Sequence, residues 1–465
     1  MIKGKKIKNQ NITTIINVLS TVILQGLAFF SSPYFSQVLG VENFGIVSVY
    51  VTWVQVVAIV FGLRINGALI MGQNEYSDKE QPEFQSSVLF LAIISFFAFS
   101  IITFLINFLV LHKSTLMLLM ICMHGFGQFM IFFANSKFTN EFRADFNFYL
   151  SLFISISTIA LSAVLIAYSD SELNYWGRIF GEAIPYFCVG VLIASVFLFR
   201  GKKFYNRKYW RFCIPLVIPM IFHGLAGIIL NQSDRIMLDI LTSSATVGIY
   251  SLAYTFSNVI FVCWSALNNS WVPFYYEYMR NRDLDTINKK AQNYMELFSV
   301  LCCGFVLLAP EVYYLFAGDE FWNGVKMIPI FTVSTFFVFL YSFPINYEIF
   351  HKKTKSIANA SIISAVVNII LNLILIKEYG AYGAAIATLL CYLLQLLLHH
   401  MKAFSISKEK MDYTFKLQGF IPYVVIVCLT STLVMLNITI GIRWFIALII
   451  GVYELWRIVK RKGIF

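Results

Sequence analysis

Six ionisable side chains lie within stretches of this sequence that are otherwise almost entirely apolar: Arg64, Arg178, Glu182, Asp234, Arg235 and Glu296. A charge at bilayer depth is costly unless it is paired or hydrated, so its default reading is functional. A guanidinium grips phosphate-type oxyanions through two parallel donors. Arg64, Arg178 and Arg235 are therefore candidate binding residues for an anionic group. Buried carboxylates can titrate near neutral pH, which makes Glu182, Asp234 and Glu296 candidates for proton or sodium coupling. Glu348 shares that chemistry, but it lies near the end of its apolar run and is expected to face water. A purely structural account competes with these roles. Arg178 and Glu182, four residues apart, would neutralise each other, as would the adjacent Asp234 and Arg235, while Arg64 would snorkel to an interface.

Neutral polar residues extend the pattern. His223, Gly227, Asn231 and Asp234/Arg235 recur at helical spacing, and Asn17, Thr21, Gln25 and Ser32 do so near the N-terminus. Asn17, Gln25, His223 and Asn231 are thus candidate lining residues of a polar cleft. The alternative is that they tie helices together, as such side chains commonly do in membranes. His124 and His223 fit hydrogen-bonded helix residues better than proton shuttles. Gly177 and Gly181 form a GxxxG pair that marks close helix packing rather than a binding loop.

The elements that must position these residues are membrane helices. Of the 465 residues 59% are hydrophobic and only 13% charged, against roughly 45–50% and 25% in soluble domains. Disorder is excluded by the 46 Phe and 25 Tyr. About fourteen runs reach bilayer-spanning length: 12–38, 44–69, 85–111, 115–137, 147–168, 174–199, 213–240, 246–274, 291–317, 326–350, 357–376, 380–400, 417–437 and 440–458. The basic N-terminus MIKGKKIKNQ is followed by too long an apolar run for a cleaved signal, so a retained first helix is expected.

The net charge of +11 is distributed unevenly between the two faces. With the N-terminus inside, 28 Lys and Arg fall in cytoplasmic segments and 4 on the opposite side, and Arg64, Arg178 and Arg235 lie in spans. That asymmetry predicts an even number of spans with both termini cytoplasmic. It also replaces the nucleic-acid reading of a basic chain. The eight cysteines form no CxxC pair or zinc spacing, and no GxxxxGK[ST] occurs, so no metal, cofactor or ATP site is expected.

Residues 45–56 and 248–259 match at a constant offset of 203: Gly45/Gly248, Ile46/Ile249, Ser48/Ser251, Thr52/Thr255 and Val56/Val259. The expected all-α organisation is an N-terminal six-helix bundle over 1–200 and a basic cytoplasmic linker over 201–212. A parallel, pseudo-symmetric C-terminal six-helix bundle follows over 213–402, then two additional transmembrane helices within 403–465.

Three segments carry a resemblance: FSQVLGVENFGIVSVY at 35–50, NQSDRIMLDILTSSATVGIYSLAYTF at 231–256 and NIILNLILIKEYGAYGAAIATLLCYLLQLLL at 368–398. The sharpest pieces are Asp234 to Met237, Val247 to Ser251 and Gly383 to Thr388. The chain resembles the Wzx-like polysaccharide-transport branch of the multidrug/oligosaccharidyl-lipid/polysaccharide exporter superfamily. The resemblance implies a flippase of the bacterial cytoplasmic (inner) membrane, not an enzyme. It would move undecaprenyl-pyrophosphate-linked oligosaccharide repeat units to the outer leaflet for O-antigen, capsule or exopolysaccharide assembly. Its partners would be that substrate, membrane lipid, H+ or Na+ and the polymerase and export machinery, with no nucleic acid. Arg64, Arg178 and Arg235 would relay the pyrophosphate. The competing expectations are a multidrug/cation antiporter of the same superfamily and a membrane-embedded glycosyltransferase or polymerase. The latter would want a large extramembrane loop, which the sequence lacks.

Overall fold

The structure is a computed structural model that describes residues 2–141 and 143–461. Side chains at 1–25, 28, 73, 74, 140, 142, 144, 223 and 461–465 fall outside the description, which includes the cleft candidates Asn17, Gln25 and His223. The described residues are helical with no strand, in chain order α1 (Ile2–Val60), α2 (Asn66–Glu75), α3 (Gln81–Ile106), α4 (Thr115–Asn140), α5 (Ala144–Ala167), α6 (Asn174–Gly201), α7 (Arg207–Leu241), α8 (Ser244–Asn281), α9 (Leu284–Phe316), α10 (Ile328–Phe350), α11 (Thr354–Tyr379), α12 (Ala381–Lys410), α13 (Leu417–Met435) and α14 (Ile440–Arg461). Helix is the form an apolar chain takes in lipid, because it satisfies every backbone group within one segment.

Twelve of these stretches are long and apolar enough to cross a membrane. The difference from fourteen has two causes. The first expected span, 12–38, lies mostly outside the described side chains and runs in the same helix as the second, α1, which is broken at Gly40 with φ 74° and ψ 172°, a backbone conformation open mainly to glycine. The second cause is α14, which carries Arg443, Glu454, Arg457, Lys460 and Arg461 and is too charged to qualify by composition.

The second expected span also ends early. α1 stops at Val60, and Leu63 and Arg64 take positive φ (53° and 45°) in the turn before α2. Arg64 therefore sits at a helix break rather than inside a span. Elsewhere the boundaries follow side-chain caps. Ser114, Ser243 and Asp283 accept from the backbone N–H of Met117, Thr246 and Thr286 at 3.3, 3.3 and 3.1 Å.

The chain divides into two compact units. One comprises residues 1–31 and 43–228, the other residues 32–42 and 229–465, so the division passes through α7 between Ile228 and Ile229. In the first unit, the start of α7 is held by aromatic packing. Tyr209 and Phe212 meet Tyr76 and Phe84, and Trp210 Nε1 donates to the Ser87 carbonyl at 3.1 Å. α6 packs along α4, α5 and α3. The expected tight crossing at Gly177 and Gly181 is present: a Cβ at Gly177 would lie 2.8 Å from the Ile166 backbone nitrogen, and one at Gly181 would strike Ser162.

In the second unit α10 is the enclosed helix, packed on α12, α8, α13 and α9. Its Phe336, Phe339 and Phe343 join Trp271, Tyr294 and Phe298 in an aromatic core. α13 and α14 both pack on α9. The many exposed large apolar side chains, such as Phe97, Ile101 and Leu105 of α3, are the lipid-facing surface expected of such helices.

Candidate functional site

The second unit holds a polar centre built on α7. Asp234 is 1% exposed, and its carboxylate accepts three hydrogen bonds from three other helices. Tyr250 of α8 donates its hydroxyl at 2.5 Å, Asn372 of α11 its amide at 2.6 Å and Thr388 of α12 its hydroxyl at 2.8 Å. Asn372 also donates to Asn368 Oδ1 at 3.1 Å, which takes a further bond from Ser233 at 3.2 Å. Tyr392 of α12 donates to Asn231 Oδ1 at 2.7 Å. Asn231 thus belongs to this centre, although as an anchored helix contact.

Arg235 turns elsewhere. Its Nε donates to Ser251 Oγ at 3.1 Å, and its Nη1 donates to Gln232 Oε1 and, at 3.4 Å, to the Asn231 carbonyl. The guanidinium stacks over Tyr254 at 4.9 Å. The expectation that Asp234 and Arg235 neutralise each other is therefore corrected. Adjacent helical residues point about 100° apart, and each side chain reaches a different set of neighbours. Asp234 is satisfied by neutral donors, and Arg235 by neutral acceptors and a π face.

The first unit behaves differently. Arg178 and Glu182 form an ion pair at 2.6 Å across one turn of α6, and Arg178 also donates to Ser162 at 3.1 Å. The second carboxylate oxygen of Glu182 is buried and has no hydrogen-bond partner among the described residues. Nearby, the Tyr50 hydroxyl lies 3.0 Å from His124 Nδ1, and His124 stacks on Tyr186 at 4.3 Å. His124 is thus a bonded helix residue. Arg64 lies apart from this pair. Its guanidinium rests against the bare backbone of Gly224 in α7, and it makes no hydrogen bond or ion pair among the described residues.

Two further acids are placed by the structure. Glu296 of α9 pairs with Arg457 of α14 at 2.7 Å. Further along α9, Glu311 receives both guanidinium donors of Arg443, one of them at 3.1 Å. Glu348 does not face water as expected. It is 0% exposed, with His399 Nδ1 at 2.8 Å and the Ser356 hydroxyl as partners, because α11 and α12 close over the end of α10.

Sequence reasoning located Asp234 and Arg235 but missed Tyr250, Asn368, Asn372, Thr388 and Tyr392. One signal was available: Asn368 and Asn372 are four residues apart in an otherwise apolar run, which puts two amides on one helix face.

These two helical units, each with charges buried in its membrane spans, define a polytopic transporter rather than an enzyme. The family described as polysaccharide biosynthesis protein matches residues 12–279, and the chain belongs to that family. An uncharacterized membrane protein of Haemophilus influenzae is 26% identical over 374 residues, covering 78% of this chain and 87% of the relative. A protein of Haloferax volcanii named as a probable low-salt glycan biosynthesis flippase, Agl15, is 21% identical, covering 94% and 91%. Among solved structures, lipid II flippase MurJ in an inward closed conformation superposes with a TM-score of 0.73 at 16% identity, covering 96% of this chain and 99% of that one. An inward-facing multidrug resistance MATE transporter of the MOP superfamily gives a TM-score of 0.58 at 14% identity, covering 85% and 99%. The fold is therefore the MurJ/MATE fold.

Proposed function

We propose that this protein is a flippase for undecaprenyl-pyrophosphate-linked oligosaccharide repeat units. It carries them by alternating access from the inner to the outer leaflet of the bacterial cytoplasmic membrane, for O-antigen, capsule or exopolysaccharide assembly. The observation that carries the reading is that two guanidiniums in apolar surroundings have no carboxylate partner among the described residues. Arg235 holds only neutral groups, and Arg64 rests on backbone. A guanidinium in apolar surroundings that makes no ion pair favours an anionic cargo, and a pyrophosphate offers oxygens that match the guanidinium fork. Arg178, already paired with Glu182, is the weakest of the three candidate ligands. Membership of the polysaccharide biosynthesis family and the names of the flippase relatives support the same substrate class.

Asp234 is the best-placed group for coupling to H+ or Na+. Its three neutral donors hold the carboxylate with no ion pair, while the Asn372 Oδ1 beside it is buried and unpartnered. Glu182, with one free oxygen, is the second. Glu296 is committed to Arg457. The same acid supports the competing reading, a cation antiporter. Loss of the gene separates the two: accumulation of lipid-linked repeat units and loss of surface polysaccharide are expected. Drug sensitivity without such accumulation would favour the antiporter. Reporter fusions after 205, 285 and 405 should report cytoplasm and those near 172 and 320 the outside, because the basic residues concentrate on the first set of loops. A fusion at 205 reporting the outside would overturn the orientation.

A further inference from the structure

The first unit contains a cavity unconnected with any of the charges discussed so far. It has a volume of about 260 Å³ and is lined by Asp78, Gln81, Gln85, Lys137, Glu141 and Arg200, with Leu69 and Pro82. Its depth in the bilayer follows from the helix ends. Gln81 opens α3, Lys137 lies in the last turn of α4, and Arg200 is the penultimate residue of α6. Three candidate spans thus end around the cavity, at the level where lipid headgroups lie. The volume falls below the roughly 300–1,000 Å³ of pockets for drug-sized ligands. It suits a headgroup and not an oligosaccharide.

The lining carries two cations, Lys137 and Arg200, and two anions, Asp78 and Glu141, so it has no net charge. Lys137 is 7% exposed, and its ammonium lies 3.7 Å from Glu141 and over the Phe138 and Phe197 rings at 5.2 and 4.9 Å. An ammonium carries three donors, so Lys137 can keep Glu141 as a partner and still donate to a further acceptor. Arg200 and Asp78 are exposed and make no ion pair or hydrogen bond among the described residues. Glu80, adjacent in sequence, is not in the lining. It accepts from the Ser77 hydroxyl at 2.8 Å, which holds its carboxyl below the usual range, and lies 3.8 Å from Lys208.

A ligand that satisfies both free charges carries a phosphate for Arg200 and Lys137 and a primary ammonium for Asp78 and Glu141. An apolar track leads away from the same place. Leu192, Val196 and Phe199 are exposed on α6 at spacings of four and three residues and lead from Arg200 toward the hydrocarbon level. We infer that this cavity binds the phosphoethanolamine headgroup of a zwitterionic phospholipid, its acyl chains lying along α6. The inference stands independently of the cargo proposed above.

The test is lipid retention by the purified full-length chain, read by native mass spectrometry after adding phosphatidylethanolamine, phosphatidylcholine or phosphatidylglycerol. Phosphatidylethanolamine should be retained best, since phosphatidylcholine has no ammonium protons to donate and phosphatidylglycerol has no cation for Asp78. Arg200→Gln and Asp78→Asn should each weaken that retention by about tenfold, the worth of one hydrogen bond to a charged group. Both side chains are exposed and unpartnered, so the variants should remain monodisperse. Arg200→Lys should retain most of the binding. Tighter binding of phosphatidylglycerol, unaffected by Asp78→Asn, would overturn the inference by showing a basic patch only. Displacement of the lipid by millimolar free O-phosphoethanolamine would overturn the assignment to a lipid, because the acyl track would then contribute nothing.

Discussion

Arg178 and Glu182 neutralise each other across a single turn of α6, whereas Asp234 and Arg235, adjacent in α7, make no direct contact and reach out to neighbouring helices. The repeated segment shows the same divergence. Ser48 and Ser251 occupy equivalent positions 203 residues apart. Ser48 donates to its own helix at Phe44, while Ser251 accepts from Arg235. In the first unit the two charges sit on one helix, with a single hydrogen bond from Arg178 to Ser162 of α5, so removing both together should disturb the packing little. In the second unit the acid is the junction of α7, α8, α11 and α12, and it cannot be separated from the packing of those helices. The ionisable side chains thus form an ion pair within one helix in the first unit and a junction of four helices in the second.

The comparison is tested most severely at Arg235. Arg235→Ala should abolish polysaccharide export and Arg235→Lys should impair it, because lysine keeps the charge but loses the fork. Protein level in the membrane should stay near normal for both. The double change Asp234→Asn with Arg235→Gln should not restore export, since the two residues do not pair. Full export by that variant, measured as surface polysaccharide, would show that Arg235 does nothing but balance charge.

Asp234→Leu should act on stability. It leaves the donors of Tyr250, Asn372 and Thr388 without their acceptor, at about 1–3 kcal/mol for each group left unsatisfied. A large fall in the thermal midpoint of the detergent-purified protein is expected, while Asp234→Asn should keep much of the fold. Equal midpoints for the two variants would remove Asp234 as the junction.

The smallest effect is expected of the charge-free pair Arg178→Gln with Glu182→Gln, which should lie close to the native protein in stability. Glu182→Gln alone removes the counter-ion and should cost about 3–5 kcal/mol, as breaking a buried pair does. If the double variant is as damaged as the single one, the first unit is not locally balanced.

These contrasts were only partly legible in the sequence. The GxxxG crossing of α5 and α6 and the Arg178–Glu182 pair depend on residues four apart, so spacing was sufficient to find them. Adjacency misled at Asp234 and Arg235, because neighbours on a helix diverge in direction. The partners Asn372 and Thr388 lie 138 and 154 residues away, and no periodicity connects such distant positions. They appeared only as part of the segments that carry the family resemblance. The break at Arg64 was hidden because the apolar composition continues unchanged through the turn. Burial of Glu348 depends on α11 and α12 folding back over α10, which a hydropathy profile does not contain.

The attachment of α14 to α9 has a consequence for synthesis. Glu311 and Glu296 await Arg443 and Arg457, which follow 132 and 161 residues later in the chain. At about 5–20 residues per second of elongation, each acid spends seconds to tens of seconds in the nascent protein before its partner exists. During that interval α9 lacks the α14 guanidiniums that Glu311 and Glu296 hold in the finished fold. A ribosome that stops before codon 443 therefore leaves α9 without the guanidinium that closes Glu311, a defect of charge rather than of exposed apolar surface.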